Sequence, residues 1–259
     1  MSVDLIDYTG HGHDDPWYAA ALMIWTKRTR TEMSPGGLAE ILSWDIPRKI
    51  EELRYMANTV PSSWEFCEYT FLVRNVSRVF THQLVRTRFG VSFAQQAMQV
   101  LDVSQGMGWN MHLGPSIRAN SEAMKIATDL RDRINNDYKR LIALGCKIED
   151  AREFLPLGIN TNITMKCNMR TLCDLMRKRA SPRNVTEWDQ VLIDMRAEMI
   201  KAHPWVTIFV DRDADMVARE FYEIIEENVE DKLVRTNMIK YVDQLLTNIG
   251  TGSMGGQAE

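Results

Sequence analysis

A strand that runs directly into a helix is predicted by residues 66–85, which read FCEYTFLVRNVSRVFTHQLV. Between Phe66 and Phe80 the side chains alternate and are rich in Val, Phe, Tyr and Thr, which is typical of a strand. From Val79 to Val85 the pattern becomes helical. The chain therefore carries both kinds of secondary structure within one short stretch.

Elements on both sides of this stretch complete an α+β pattern. A strand is predicted at Val3–Tyr8, an extended segment at Leu157–Met165, and a long amphipathic helix at Ser116–Leu144 that ends before Gly145. Further helices are predicted from Asp15-Pro16 through Trp25 and at Leu38–Met56, Ile148–Phe154, Arg170–Arg179, Thr186–Ala202 and Asp215–Glu227. We expect a single domain over residues 1–259, with residues 250–259 as a flexible tail.

Bulk composition limits the classes of function. The 259 residues are 45% hydrophobic and 25% charged, with a net charge of −4, so no overall positive field attracts nucleic acid. No signal peptide and no membrane-spanning apolar stretch is visible. The four cysteines lack metal-ligand spacing and indicate buried, reduced thiols in a cytoplasmic protein.

Two segments place arginine and amide side chains among apolar residues. The first is Thr81–Gln99, in which Gln83 and Arg86 share a helical face and Arg88 follows. Gly90 is expected to end that helix, and Ser92–Gln99 is expected to offer backbone contacts to an anionic ligand. The alternative is a surface helix whose arginines are only solvated.

The second segment is Asn168–Arg179. Arg179 is expected on the apolar side of its helix, where a guanidinium needs a partner such as a carboxylate or a ligand. Arg152 is a third cation of this kind. The alternative for this segment is a local ion pair between Arg170 and Asp174.

Other catalytic signatures are missing from the sequence. No dinucleotide-binding, P-loop or nucleophile-elbow motif occurs, and no paired-carboxylate site is evident. The turn that contains His11, His13, Asp14 and Asp15 is explained by turn chemistry, so no metal is expected.

Together these segments resemble the flavin-dependent thymidylate synthases over roughly residues 1–205. The family's Arg-His-Arg motif and nucleotide loop are matched by Arg86-Thr87-Arg88 and by Ser92 to Val100. The family's upstream stretch is similar to Pro61–Phe71, and its second nucleotide and flavin segments look like Arg152–Pro156 and Asn168–Arg179. The resemblance implies the family's α+β fold, with a mixed or antiparallel sheet and long helices.

The resemblance also implies cofactors and an assembly. It implies FAD bound between the subunits of a homotetramer, and methylation of dUMP at C5. Methylenetetrahydrofolate would donate the carbon and NADPH would be the reductant. The partners are thus small molecules and other copies of this chain, with neither nucleic acid nor membrane.

Roles for single residues follow from the same resemblance. Arg179 matches the arginine that stabilises the ionised pyrimidine, and is therefore the expected catalytic residue. The expected substrate-binding positions are Gln83, Arg86, Gln95, Gln96, Ala97, Gln99, Arg152 and Arg179. The expected flavin-binding positions are Ser62, Glu65, Arg86, Thr87, Arg88, Gln95, Asn168, Arg170 and Asp174.

Several positions depart from the family pattern. Thr87 replaces the central histidine of the motif, Ala97 the loop serine, Gln99 the loop arginine and Asp174 an asparagine. These changes leave two alternatives open. One is the same fold acting on UMP or dCMP, or adding hydroxymethyl; the other is an inactive homologue that binds nucleotide or RNA.

Overall fold

The computed structural model describes residues 1–29, 36–98, 110–179, 187–210 and 224–250, with side chains described as far as residue 242. The chain divides into two compact units, Met1–Val206 and Thr207–Glu259. The first unit contains both arginine-rich segments.

The centre of the first unit is a four-stranded antiparallel sheet. Its strands are β1 (Ser2–Tyr8), β2 (Glu68–Ser77), β3 (Val91–Gln95) and β4 (Asn160–Asn168). Their order is β1-β2-β4-β3, and every neighbouring pair is antiparallel. The predicted α+β class with an antiparallel sheet is therefore confirmed.

Alternation along β2 places its large apolar side chains on one buried face. Tyr69, Phe71 and Val73 are fully buried on one face, because residues two apart in a strand share a face. Asn75 has a φ of +56°, and the pairing with β4 shifts register between Val73 and Val76. Pairing resumes at Val76 and Ser77, after which the chain enters the next helix.

Helices surround this sheet. The helices of the first unit are α1 (Tyr18–Arg28), α2 (Gly37–Leu42), α3 (Ile46–Thr59), α4 (Arg78–Leu84), α5 (Pro115–Arg118), α6 (Ser121–Ala143), α7 (Ile148–Ala151), α8 (Met169–Arg179) and α9 (Glu187–Ala202). Short 3₁₀ helices cover Pro61–Phe66, Arg152–Phe154 and Pro204–Val206. Helix α9 packs against β1 and β2 and buries Trp188, Val191 and Met195 there.

Two predicted helices are each divided in the structure. The predicted helix Leu38–Met56 becomes α2 and α3, because Asp45 caps α3 and Pro47 occupies its first turn. The predicted helix Ser116–Leu144 becomes α5 and α6, because the Asn120 side chain accepts hydrogen bonds from the first backbone N–H groups of α6. Capping side chains inside an apolar pattern thus start new helices.

The second unit contains α10 (Thr207–Val210) and a C-terminal helix, Lys232–Gly250. The predicted helix Asp215–Glu227 is described only from residue 224, where residues 224–228 are helical. Apart from Gly250, the predicted tail lies outside the described residues. Among the helices that the structure describes, none has the length and apolar character needed to cross a bilayer.

Candidate active site

Side chains from the two arginine-rich segments meet in one cleft of about 470 Å³. The cleft lies between the turn that follows α4 and one face of α8. It is lined by Arg86, Thr87, Arg88, Phe89, Thr171, Asp174, Leu175, Lys178 and Arg179. Five of these are expected site residues, although more than eighty positions separate Phe89 from Thr171.

The turn after α4 presents its arginines differently from the sequence expectation. Helix α4 ends at Leu84, so Arg86 does not share a helical face with Gln83. Instead, the backbone N–H groups of Arg86 and Thr87 donate to the carbonyls of Gln83 and Leu84 in a tight turn. Because the helix stops early, Arg86, Thr87 and Arg88 are all directed into the cleft.

Gly90 fixes the distance between this turn and α8. Its φ is +63°, and a Cβ atom there would lie 2.3 Å from Nδ2 of Asn168 and 2.6 Å from Oγ1 of Thr171. The Thr171 hydroxyl donates to the carbonyl of Phe89 at 3.0 Å, and the Asn168 backbone N–H donates to the carbonyl of Gly90 at 3.1 Å. Asn168 thus packs against Gly90 next to the cleft without lining it.

The cleft is rich in positive charge. Its lining has four cations, Arg86, Arg88, Lys178 and Arg179, and one carboxylate, Asp174. Asp174 lies 3.3 Å from Nη1 of Arg177 on the next turn of α8, an exposed pair of small net effect. Such a lining suits a ligand that carries phosphate groups.

Trp188 connects two expected substrate-binding residues and was not predicted from the sequence. Its indole Nε1–H donates to Oε1 of Gln83 at 2.9 Å. The guanidinium carbon of Arg179 lies 4.6 Å from the centroid of the Trp188 ring. A buried tryptophan at helical spacing looks like an ordinary core residue, so only the fold shows its place beside the cleft.

Glu187, which precedes Trp188, forms hydrogen bonds at the start of α4. The buried carboxylate of Glu187 accepts hydrogen bonds from the backbone N–H of Ser77 at 2.7 Å and from its hydroxyl. The same hydroxyl oxygen accepts from the Phe80 N–H and so caps α4. His112 lies 3.6 Å from Glu187 on the other side.

Arg170 lies outside the cleft lining. The alternative of a local ion pair between Arg170 and Asp174 is wrong, because Nη1 of Arg170 donates to Oε1 of Glu65 at 2.6 Å. Glu65 and Ser62 belong to the 3₁₀ helix Pro61–Phe66, which packs against α8. Three expected flavin-binding residues, Ser62, Glu65 and Arg170, therefore lie on α8 and the 3₁₀ helix that packs against it.

The expected nucleotide loop, Ser92 to Val100, begins as a strand. Residues Val91–Gln95 form β3 against β4, so the loop that the resemblance implies at Ser92 to Val100 is wrong for its first residues, Ser92 to Gln95. Nε2 of Gln95 donates to the hydroxyl of Thr81 at 2.8 Å, and Oε1 of Gln96 accepts from Asn162. Ala97 is exposed. Gln99 lies outside the described residues.

Arg152 and Arg78 form a second cationic group. Arg152 donates from Nε to the carbonyl of Glu149, and Arg78 donates to the carbonyl of Gln96 at 3.3 Å. Burial, and then the charge of Arg152, lower the pKa of Arg78. Arg152 therefore lies near Arg78 and is not part of the lining of the cleft.

Three of the four cysteines are buried thiols that are not activated. Burial raises the pKa of Cys67 and Cys173 to about 12, and it also raises the pKa of Cys167. Cys146 is exposed, so the expectation that all four cysteines are buried is wrong for this one. No group of three or more metal-ligating side chains is present in the described ranges.

Comparisons with known proteins identify the family of this chain. The model of the family described as thymidylate synthase complementing protein (Thy1) matches residues 4–205. A flavin-dependent thymidylate synthase of Sulfurisphaera tokodaii is 26% identical over 252 residues, covering 94% of this chain and 90% of that protein. The Pyrococcus furiosus protein of the same name is 29% identical over 203 residues, covering 78% and 80%.

A solved structure has the same fold. The crystal structure of a UMP/dUMP methylase, PolB, from Streptomyces cacaoi bound with 5-Br dUMP superposes with a TM-score of 0.62 at 21% identity. The likeness covers 80% of this chain and 95% of that chain. The chain therefore belongs to the thymidylate synthase complementing protein family, the family of the flavin-dependent thymidylate synthases.

Proposed function

We propose that this protein is a flavin-dependent thymidylate synthase that methylates dUMP at C5. As a family member the chain is a flavin-dependent methyltransferase. The proposal adds dUMP as the acceptor, methylenetetrahydrofolate as the carbon donor and NADPH as the reductant of the flavin. The observation that carries it is the cleft in which Arg86, Thr87 and Arg88 face Asp174 and Arg179.

The residues of this region fit a flavin nucleotide. The excess of cations in the cleft suits a pyrophosphate, and the adjacent surface offers Glu65, Arg170 and Ser62 as polar contacts. When bound, the flavin would supply the hydride that reduces the transferred carbon. The protein's own contribution is to bind, orient and polarise the two substrates.

Arg179 is the residue to which we assign that polarisation. It ends α8 at the edge of the cleft, and its guanidinium lies over the Trp188 ring. A cation held in this way stabilises negative charge that develops on a pyrimidine ring during attack. The buried cysteines, with raised pKa values, are unsuited to nucleophilic attack on the ring.

Turnover with three nucleotides tests the proposal. Protein loaded with FAD should form a C5-methylated product from dUMP in the presence of NADPH and methylenetetrahydrofolate. Arg179→Ala should keep its flavin and lower turnover by about 10² to 10³-fold. Product from dCMP or UMP but not from dUMP, or a hydroxymethyl product, would refute the proposed reaction. Protein that never binds FAD would point to the inactive homologue.

We also propose that the enzyme is a cytoplasmic homotetramer whose sites are completed by neighbouring copies. Supporting this, α6 carries exposed apolar side chains, with Ile126 63% and Leu130 49% accessible. Leu144 and Phe154 extend the same surface at 80% and 71%. A monomeric protein rarely leaves such a contiguous apolar surface in water.

A further inference from the structure

The amide group of Gln83 can be oriented without ambiguity. The Trp188 indole N–H is only a donor, so the atom of Gln83 that faces it at 2.9 Å must be the carbonyl oxygen Oε1. The NH₂ group of Gln83 is therefore on the other side of the amide. Within the described ranges it donates to no residue, and Gln83 is half-buried, so two donors remain available to a ligand.

The tryptophan that imposes this orientation is itself held firmly. Trp188 is fully buried, and its ring centroid lies 4.6 Å from that of Phe80 on α4. The adjacent Glu187 accepts hydrogen bonds from the backbone N–H and the hydroxyl of Ser77 at the start of α4. Because α4 is held near both of its ends by consecutive residues, the indole cannot move independently of Gln83.

Arg179 shares the same ring. Its guanidinium carbon lies 4.6 Å from the Trp188 centroid, so Gln83 and Arg179 both contact one indole, and Arg179 also lines the cleft. An arginine has donors and no acceptor, and the indole N–H occupies one lone pair of the Gln83 carbonyl oxygen. Trp188 thus holds the carbonyl oxygen of Gln83 on its own side and leaves the NH₂ group on the opposite side of the amide.

We propose that Trp188 is a positioning residue that makes the site select uracil nucleotides over cytosine nucleotides by turning the Gln83 NH₂ group toward the base. The inference rests on the proposed function and deepens it. Uracil offers a carbonyl at position 4, which accepts from the amide, whereas cytosine carries an amino group there. Two donors facing each other leave both without a partner, which is how a polar site rejects a near-isostere.

Trp188→Phe tests the positioning role. Phenylalanine keeps a ring against Phe80 and Arg179 but lacks the N–H, so the Gln83 amide is free to rotate. Trp44→Phe is the matched control, because Trp44 is a buried tryptophan that also has arginines over its ring and is far from Gln83 in sequence and contacts. Calorimetric titration of FAD-loaded protein with dUMP and with dCMP gives the ratio of the two affinities.

We expect the wild type and Trp44→Phe to favour dUMP, and Trp188→Phe to lose at least about tenfold of that preference. Flavin content should stay the same, and the KM for dUMP should rise more than kcat falls. Gln83→Glu gives an independent readout, because it presents only acceptors: it should weaken dUMP more than dCMP whether or not Trp188→Phe folds.

Distinct results separate this inference from the proposed function. Unchanged selectivity in both Trp188→Phe and Gln83→Glu, with dUMP still bound, would overturn only the inference. A wild type that binds dCMP as tightly as dUMP would overturn it too. A wild type that holds flavin but binds neither nucleotide contradicts the proposed function and the inference together.

Discussion

At the level of single residues, Gly90 is the position where the backbone leaves the least room. Gly90→Ala should displace Asn168 and Thr171 and strain a backbone at φ +63°. We expect a loss of about 1–3 kcal/mol in the free energy of unfolding and a lower affinity for FAD. Urea denaturation and flavin titration measure the two effects.

Gly12→Ala is the matched control for this substitution. Gly12 also has a positive φ, +75°, but a Cβ atom there meets nothing within 4 Å. The Gly12→Ala protein should lose unfolding free energy through backbone strain alone, and its FAD affinity should be unchanged. Equal effects of the two substitutions on FAD binding would show that the contacts beneath the cleft are unimportant.

His203 makes stability depend on pH. Its Nδ1 lies 2.9 Å from the Tyr69 hydroxyl, and burial lowers its pKa to about 4. Since the unfolded imidazole binds a proton first as the pH falls, stability should be full above about pH 6.5. It should then decline toward pH 4, by up to about 3 kcal/mol. Denaturation across this range should give a flatter profile for His203→Gln, and the wild-type profile for the exposed His13→Gln.

Local sequence could not identify every partner of a charged residue. Arg170 and Asp174 have the spacing of a helical ion pair, yet Arg170 contacts Glu65, which is more than a hundred positions away. The place of Arg179 on an apolar face was predictable from helical spacing, but its stacking on Trp188 depends on how α9 packs. Tertiary contacts decide which of several possible partners a long side chain meets.

At the level of elements, the apolar face of α6 leads to a prediction about assembly. Leu130→Glu places a charge at the centre of the exposed surface that includes Ile126 and Leu144. If neighbouring copies cover this surface, the variant should dissociate into smaller species and lose bound flavin, because burying an unpaired carboxylate is costly. Light scattering after size-exclusion chromatography measures the mass.

Leu233→Glu provides the control on another helix. Leu233 is 72% exposed on the C-terminal helix, so the same substitution there should leave mass and flavin content unchanged. A Leu130→Glu protein with the wild-type mass would mean that α6 faces solvent.

Strong periodicity allowed some elements to be predicted and not others. Strand β2 and helix α8 were predicted because their alternation and helical spacing are clear. Strand β3 was missed, because Val91–Gln95 is short and its serine, alanine and glutamine look like a loop. It becomes a strand only by pairing with β4, which lies about seventy positions away.

At the level of the whole molecule, the cleft forms where the turn after α4 meets α8. Strand β2 leads into α4 and its arginine turn, and β4 leads into α8. Because β2 and β4 are antiparallel, α4 and α8 begin at opposite ends of the sheet. The two segments meet because Val91 of β3 pairs with Cys167 of β4, which brings the arginine turn before β3 beside the start of α8. Sequence order alone could suggest the two segments but not their meeting.

The stoichiometry of bound FAD tests this central claim most directly. Wild-type protein purified and supplied with FAD should hold about one flavin per chain, as measured from its absorbance after gel filtration. Arg86→Ala should lose most of it, whereas Arg54→Ala, at an exposed position on α3, should keep it. A wild type that remains colourless, or an Arg86→Ala protein with full flavin content, would contradict the account.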